Sequence, residues 1–558
     1  MYSESAIQFL KNKKYLIGDE TIEDRVKSIG NLVRKYEKGY SEGLGDRIES
    51  YILNKILIPS TPQWANLGRD YEGSANLPAS CYILGVENNI QGIYYSFGET
   101  AMMSKLGGGI GSSYINVFEK DTYLNEGFYS NSKLDWVEDG LRASQKVSQS
   151  SIRRGYSVPT LSIEDKEFYE FIKRLDKKNP DKKDPLTKNN GCILLPKGFW
   201  SNFENDKELV KRFLLIIQKR MSKGKIYIID EDNCNKNYSP VYEKLGMSVN
   251  ATNICCEALT ALDPRYSFVC MLSSANLSKW DIIKQDKQII KDMFMFLDIN
   301  ISEYIKLTEG MPFMEKARRS AIEKRDIGLG TMGIHDLFQS KGISFGSLES
   351  RFLNKEIYKT FREVGEEYTK EIAEKLGSPI LCQEANLTRR NVSLMMIAPN
   401  KSTAGITETS EGIAPRISNY MNEELAGINR IFKNPYLKKT LSSYNKDNLS
   451  TWNSIMQNLG SVQHLNFLTD NEKAVFRTAS EISPKDIIDL ASDRQIYIDM
   501  AQSLNLFSRP NYTTQDVYDI HKYAFSKGIK TLYYYYSQIH ASKEKDGENW
   551  DVCDSCVD

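Results

Sequence analysis

The sequence predicts an α/β protein. Short apolar runs of strand length recur along the chain, and amphipathic stretches of helical period separate several of them. The runs are CYILGV (81–86), GCILL (191–195), KIYIID (225–230), YSFVCML (266–272) and VSLMMIA (392–398), and they read as buried strands. The interleaved stretches include KELVKRFLLIIQKRM (207–221) and IYKTFREVGEEYTKEIAEKL (357–376). A composition of 41% hydrophobic and 11% aromatic residues fits a folded chain rather than a disordered one. At about 150 residues per domain the length allows three to four domains, although one large α/β barrel with appendages meets the same count.

Taken in order, residues 1–58 read as an N-terminal helical region. Thr21-Ile22-Glu23-Asp24 resembles a capping box, and Ile22, Val26, Ile29 and Val33 follow at helical spacing. Ser60-Thr61-Pro62 ends that pattern and opens the body of the protein, residues 59–540. KLGGGIGSSYIN (105–116) is Gly-rich but fits neither a P-loop nor a dinucleotide-binding turn. Beyond it the chain shows no internal repeat, and residues 541–558 read as a flexible polar tail.

Charge and cysteine usage narrow the function. Lys plus Arg equals Asp plus Glu at 73 each, so no direct, general electrostatic grip on nucleic acid is expected. No run reaches the roughly 18 apolar residues of a membrane span, and MYSESAIQFLKNKKYL lacks the apolar core of a signal peptide. Nine scattered cysteines with no secreted framework point to free thiols in a reducing, cytoplasmic setting.

Two thiol clusters stand out. In TNICCEALTAL, Cys255 has Asn253 two residues before it and Glu257 two residues after it. Were the segment extended, alternation would bring all three side chains to one face and turn Cys256 away. A sulfur, an amide and a carboxylate on one point suit work on a substrate hydroxyl, while a core strand with buried cysteines is the plainer alternative. Zinc is the weaker reading, because adjacent cysteines are badly spaced for it and no second CxxC or His pair lies nearby. The other cluster is the terminal Cys553-Asp-Ser-Cys556. A CxxC in a solvated tail reads as a dithiol that cycles with its disulfide, on a linker reaching on the order of 20–25 Å. Such a tail implies an internal disulfide for it to reduce. Cys81 and Cys270, each in or beside a short strand, are the candidates, although alone they read as unrelated buried thiols.

Eight motifs in order resemble the ribonucleotide reductase large subunits. They are Ser60-Thr61-Pro62, the Ser80-Cys81 strand, Asn253-x-Cys255-x-Glu257, Cys270 followed by SSANL, GLGTMGIHDLF (328–338), RNVSLMMIAPNKSTAG (390–405), YIDMAQSLNLF (497–507) and KTLYY (530–534). The resemblance implies a ten-stranded α/β barrel of two antiparallel five-stranded halves, with Cys255 on a central finger loop. It further implies reduction of ribonucleotides, as the diphosphates, to 2′-deoxyribonucleotides by a thiyl-radical mechanism. In that reading Cys255 becomes the thiyl radical that takes the ribose 3′-hydrogen, Glu257 accepts the 3′-hydroxyl proton, and Asn253 holds the ribose hydroxyls. Cys81 and Cys270 donate two electrons and end as a disulfide, which Cys553 and Cys556 restore with thioredoxin or glutaredoxin as the external reductant. Tyr533 and Tyr534 resemble the pair that relays a radical from a separate small subunit carrying a dimetal cofactor, so this chain needs no redox centre or metal of its own. An adenosylcobalamin-dependent reductase is the alternative, and such enzymes generally lack the tyrosine pair. Ser60, Thr61, Asn400, Lys401, Ser402 and Thr403 match the neighbourhood of the substrate phosphates.

The resemblance also implies a homodimer and a specificity site for a nucleoside triphosphate effector, formed after the Cys81 strand and by a loop near 181–190. Relatives commonly place an aspartate seven residues after the first redox cysteine; this chain has Asn88, which keeps a hydrogen-bonding oxygen but no charge. About 58 residues precede Ser60, too few for the N-terminal ATP-cone of many relatives. The expectation is an enzyme without that type of overall dATP switch.

Overall fold

The apolar runs of the first half become neighbours in one curled sheet. The computed structural model describes residues 2–69, 77–125, 128–147, 155–175, 184–224, 226–425, 428–509 and 511–536. Cys553 and Cys556, and residues 181–183 of the expected effector loop, lie outside the described residues. Strands Cys81–Gly85, Gly109–Ser113, Tyr156–Ser162, Gly191–Leu195 and Ile226–Asp230 pair in parallel in that order. Parallel neighbours need long crossovers, and the helices Ile90–Lys105, Lys133–Lys146, Phe168–Arg174 and Lys207–Lys223 supply them. Two short strands close the edges, both antiparallel: Phe268–Val269 against Cys81–Gly85 and Thr531–Leu532 against Ile226–Asp230.

The second half begins where Phe268–Val269 runs on into Leu272–Asn276. That strand pairs antiparallel with Leu57–Pro59 and parallel with Gly328–Met332. Single bridges from Leu329 to Met395 and from Ile397 to Gln502 add two further strand positions. The α/β barrel is thus present, as a curled seven-stranded sheet and a three-stranded one that the single bridges extend, but 392–398 is not the regular strand its apolar run predicts. The Asp499 carboxylate explains the difference: it takes the N–H groups of Leu394 and Met395, each at 2.8 Å, which a continuous ladder would otherwise use. YSFVCML likewise splits into two strands, leaving Cys270 and Met271 between them.

The N-terminal region folds as helices Glu4–Asn12, Ile22–Arg34 and Leu44–Leu53. Thr21 and Asp24 form a reciprocal capping box, and Ile22, Val26, Ile29 and Val33 are buried. From the same helix the fully buried Arg25 reaches the barrel, donating to the carbonyls of Trp64 (2.6 Å), Gln63 (3.1 Å) and Leu67 (2.5 Å). A cation there satisfies the last carbonyls of the short helix Thr61–Asn66 and complements its dipole. Among the described residues no helix is long and apolar enough to cross a membrane.

Candidate active site

The segment holding Cys255 is a turn between the paired strands Val249–Thr252 and Leu259–Ala261, not the extended stretch that alternation predicts. Cys256 N–H donates to Asn253 O at 3.2 Å, and Cys256 adopts a positive φ of 65°. The expected amide and carboxylate still meet, through the turn rather than through period two: Asn253 Nδ2 donates to Glu257 Oε1 at 2.8 Å. Cys256 points elsewhere, into contact with Cys192, and burial pushes its thiol pKa up.

Glycines in the Gly-rich strand let this finger loop enter the barrel. A Cβ on Gly111 would meet Thr252 O at 2.1 Å, and one on Gly109 would meet Ile254 Cδ1 at 2.1 Å. At Gly111 the neighbour is backbone, so only a glycine there admits the loop, while at Gly109 a side chain would have to displace Ile254. Its tip is then tied from the far side: Ser503 Oγ donates to Cys255 O (2.6 Å), Thr531 Oγ1 to Cys256 O (2.7 Å), and Ala501 N–H to Glu257 O (2.9 Å).

Cys81 and Cys270 face each other across the sheet edge. Cys270 N–H donates to Cys81 O at 2.9 Å and Ser80 N–H to Cys270 O at 3.2 Å. Their sulfurs and a Glu257 oxygen lie within 4.8 Å of one another, and Asn253 Nδ2 is 3.1 Å from Cys81 Sγ. Both thiols are free, and Cys255 lies close enough to act electrostatically on Cys270. This S, S, O donor set could also hold a thiophilic metal ion. Burial pushes the Cys270 pKa well up, keeping the thiol protonated. The same burial raises Glu257 to about 7, against the opposing pull of hydrogen bonds from Asn253 and Ser503.

The expected phosphate residues meet at one end of the second half. Ser60 and Thr61 open the helix Thr61–Asn66 directly after strand Leu57–Pro59, where Pro59 pairs with Ser273 and Ile58 with Ser274. Asn400, at a φ of 61°, caps the helix Lys401–Thr407, and its Nδ2 donates to Ser274 Oγ at 2.9 Å. Two helix N-termini therefore open beside one strand, with Ser402 and Thr403 in the first turn of the second. Asn400 Oδ1 and Ser80 Oγ are buried without a partner among the described residues.

Tyr533 and Tyr534 follow strand Thr531–Leu532 and break it, so their rings do not alternate but pack with centroids 4.2 Å apart. They sit in the same buried cluster as Cys255. Asn88 is engaged within its own region, accepting from Phe118 N–H at 2.9 Å. Sequence reasoning missed Ser503, Asp499, Tyr227 and Asn190. The first two fall inside the quoted YIDMAQSLNLF motif, which was their available signal; Tyr227 lies in the strand run 225–230 and Asn190 ends the loop near 181–190, where neither carries a signal of this role.

Fold and site define an α/β barrel with a loop-borne thiol in the same buried cluster as an internal pair of thiols. The ribonucleotide reductase barrel domain matches residues 79–212, 207–384 and 384–535. The class Id ribonucleotide reductase alpha subunit of Actinobacillus ureae superposes with a TM-score of 0.86 at 30% identity, covering 96% of this chain and 97% of that one. Ribonucleoside-diphosphate reductase large subunits of Invertebrate iridescent virus 3 and Vaccinia virus are similar in sequence. The first is 34% identical over 60% of this chain and 53% of its own length, the second 26% over 88% and 71%. The chain thus spans about half the length of the iridescent virus relative. It belongs to the ribonucleotide reductase family.

Proposed function

We propose that this chain is the catalytic subunit of a class I enzyme that reduces ribonucleoside diphosphates to deoxyribonucleotides for DNA synthesis. The observation that carries the reading is the meeting of the Asn253–Glu257 pair and the Cys81/Cys270 dithiol at one buried point, with Cys255 close enough to act electrostatically on Cys270. Cys255 takes the 3′-hydrogen, and Glu257, poised near neutrality, accepts the 3′-hydroxyl proton while Asn253 orients the sugar. The 2′-hydroxyl leaves as water. The two electrons and protons it requires come from Cys81 and Cys270, whose S–H bonds break as their S–S bond forms. Cys553 and Cys556 then exchange with that disulfide and are renewed by a thioredoxin or glutaredoxin.

The substrate diphosphate sits at Ser60, Thr61 and Asn400–Thr403. Ser274, to which Asn400 is tied, lies four residues along an extended segment from Cys270, or about 13 Å, so one nucleotide reaches both ends of the site. Tyr534 and Tyr533 pass the radical inward from a small subunit whose dimetal cofactor generates it. The tyrosine pair and the large-subunit relatives favour this over the cobalamin-dependent alternative. A homodimer through the helix Ile90–Lys105 is supported by its exposed Ile90 and Tyr94, at 58% and 60%, with Tyr94 packed on Phe97 and Trp136. An effector triphosphate binds near Asn88. Free thiols at all seven described cysteines support a reducing compartment, the cytoplasm. The test is to assay diphosphate reduction by the purified chain with a small subunit, without one, and with adenosylcobalamin. Activity only with the small subunit is expected; activity with cobalamin alone would overturn the class.

A further inference from the structure

Asn190 occupies the residue before strand Gly191–Leu195 and is buried at 1% exposure. Its amide nitrogen donates to two phenol oxygens, Tyr227 at 2.5 Å and Tyr534 at 3.5 Å. Its own backbone N–H donates to Tyr156 OH at 2.8 Å, which fixes where the amide starts. Tyr227, in strand Ile226–Asp230, is fully buried, and its ring lies 4.9 Å from that of Tyr533 and 5.5 Å from that of Tyr534. The two expected relay tyrosines are therefore two members of a packed trio, and one amide holds the outer relay phenol to the third ring.

We propose that Asn190 and Tyr227 are positioning residues for hydrogen-atom transfer between Tyr534 and Tyr533, an inference that rests on the relay reading of that pair. In the transfer a Tyr534 phenoxyl radical takes the hydrogen atom of the Tyr533 phenol. One O–H bond breaks, one forms, and the unpaired electron moves inward with no other reactant. The step demands that the two oxygens hold a fixed approach, since a small displacement of reacting atoms slows a reaction steeply. Tyr227 restrains both rings at once, standing edge-on to Tyr534 at 82° and tilted at 37° to Tyr533. The Asn190 N–H directs one lone pair of the Tyr534 oxygen away from the transfer line and favours the ionised phenol over the neutral one. Behind them the buried Arg220 donates to Tyr533 O at 2.9 Å, anchoring the backbone on which the pair turns. Asn190 and Tyr227 touch no substrate; they act through Tyr534.

Two measurements on the full chain test this. The first places 2,3-difluorotyrosine at position 534 and titrates its phenol by absorbance, with no small subunit present. Asn190→Ala is expected to raise that pKa by about half a unit or more, through loss of the donor. The second measures turnover with the small subunit. Asn190→Ala is expected to lower kcat about tenfold, the scale of one hydrogen bond lost from a transition state, with KM for the diphosphate within about twofold. Tyr227→Phe, which keeps the ring, is expected to lose less than Asn190→Ala. Tyr533→Phe serves as the reference and is expected to be inactive. If Tyr533→Phe turns over normally, the relay reading itself fails. If Tyr533→Phe is dead while Asn190→Ala changes neither the phenol pKa nor kcat, the positioning proposal alone falls. A Tyr227→Phe loss as complete as that of Tyr533→Phe would make Tyr227 a relay member and overturn its positioning role.

Discussion

Ser503 offers a sharp perturbation of the proposed acid–base chemistry, because it hydrogen-bonds the carboxylate that must take a proton. Its hydroxyl lies 3.0 Å from Glu257 Oε2, and Asn253 serves the other oxygen at 2.8 Å. With both donors in place, burial still holds Glu257 at about 7, so it titrates near neutral pH. The one Ser503 hydroxyl hydrogen is shared with the nearer Cys255 O at 2.6 Å, so its bond to the carboxylate is worth about 1.5 kcal/mol, the low end for a charged acceptor, or roughly one pKa unit. Ser503→Ala should therefore lift Glu257 by about one pKa unit and cut its ionised fraction near neutral pH several-fold. The sign follows from the role: a base works ionised, so turnover rises with pH, and the variant's rising limb moves to higher pH. The assay is kcat/KM for a ribonucleoside diphosphate from pH 6 to 9 with saturating small subunit. Activity that recovers at high pH is the predicted signature. A pH-independent loss would mean that Ser503 matters only through the Cys255 carbonyl it also holds, and an unmoved limb would remove Glu257 as the base.

Glu257 also ties stability to pH. Its pKa in the fold lies above its ordinary value, so the neutral carboxyl favours the folded state below about pH 4.5, and this contribution fades as pH rises through about 7. Over that window it amounts to about 3 kcal/mol, and Glu257→Gln should flatten the corresponding fall in Tm; an equally steep fall in the variant would contradict the assignment. Cys81→Ser or Cys270→Ser should stop multiple turnover with a dithiol reductant, read as fewer than about one deoxynucleotide per chain, because two electrons need both sulfurs. Arg25→Ala removes the donor to the carbonyls of Trp64 and Leu67, and one of the two donors to Gln63 O, at the end of the helix that carries Thr61. It should destabilise the chain by about 3 kcal/mol or more in urea and raise KM for the diphosphate.

The parts of this site legible in the sequence are those whose chemistry lies within a few consecutive residues. The Asn253-x-Cys255-x-Glu257 triplet and the Thr21–Asp24 capping box are local, and both appear in the structure. The conformation of the triplet was not legible, since alternation and a tight turn both bring residues two apart together. What selects the turn is the glycine strand against which it packs, more than a hundred residues away. The Asn190 clamp was equally hidden: it joins residues 37 and 344 positions apart, and although 190, 227 and 534 each fall in a quoted segment, nothing in those segments links them. The run 392–398 misled because hydropathy reports burial and not where the amides go; Asp499 intercepts two of them. The second strand half is therefore irregular where the sequence looked most strand-like.

The chain places two adjacent cysteines in one turn: Cys256 contacts Cys192, while Cys255 lies within electrostatic reach of the Cys270 thiol. Turnover of the Cys255→Ser and Cys256→Ser chains with the small subunit, alongside nucleotide binding by each, separates them. The account predicts no product from Cys255→Ser with binding retained, and substantial turnover from Cys256→Ser. Deoxynucleotide formation by Cys255→Ser would contradict it outright.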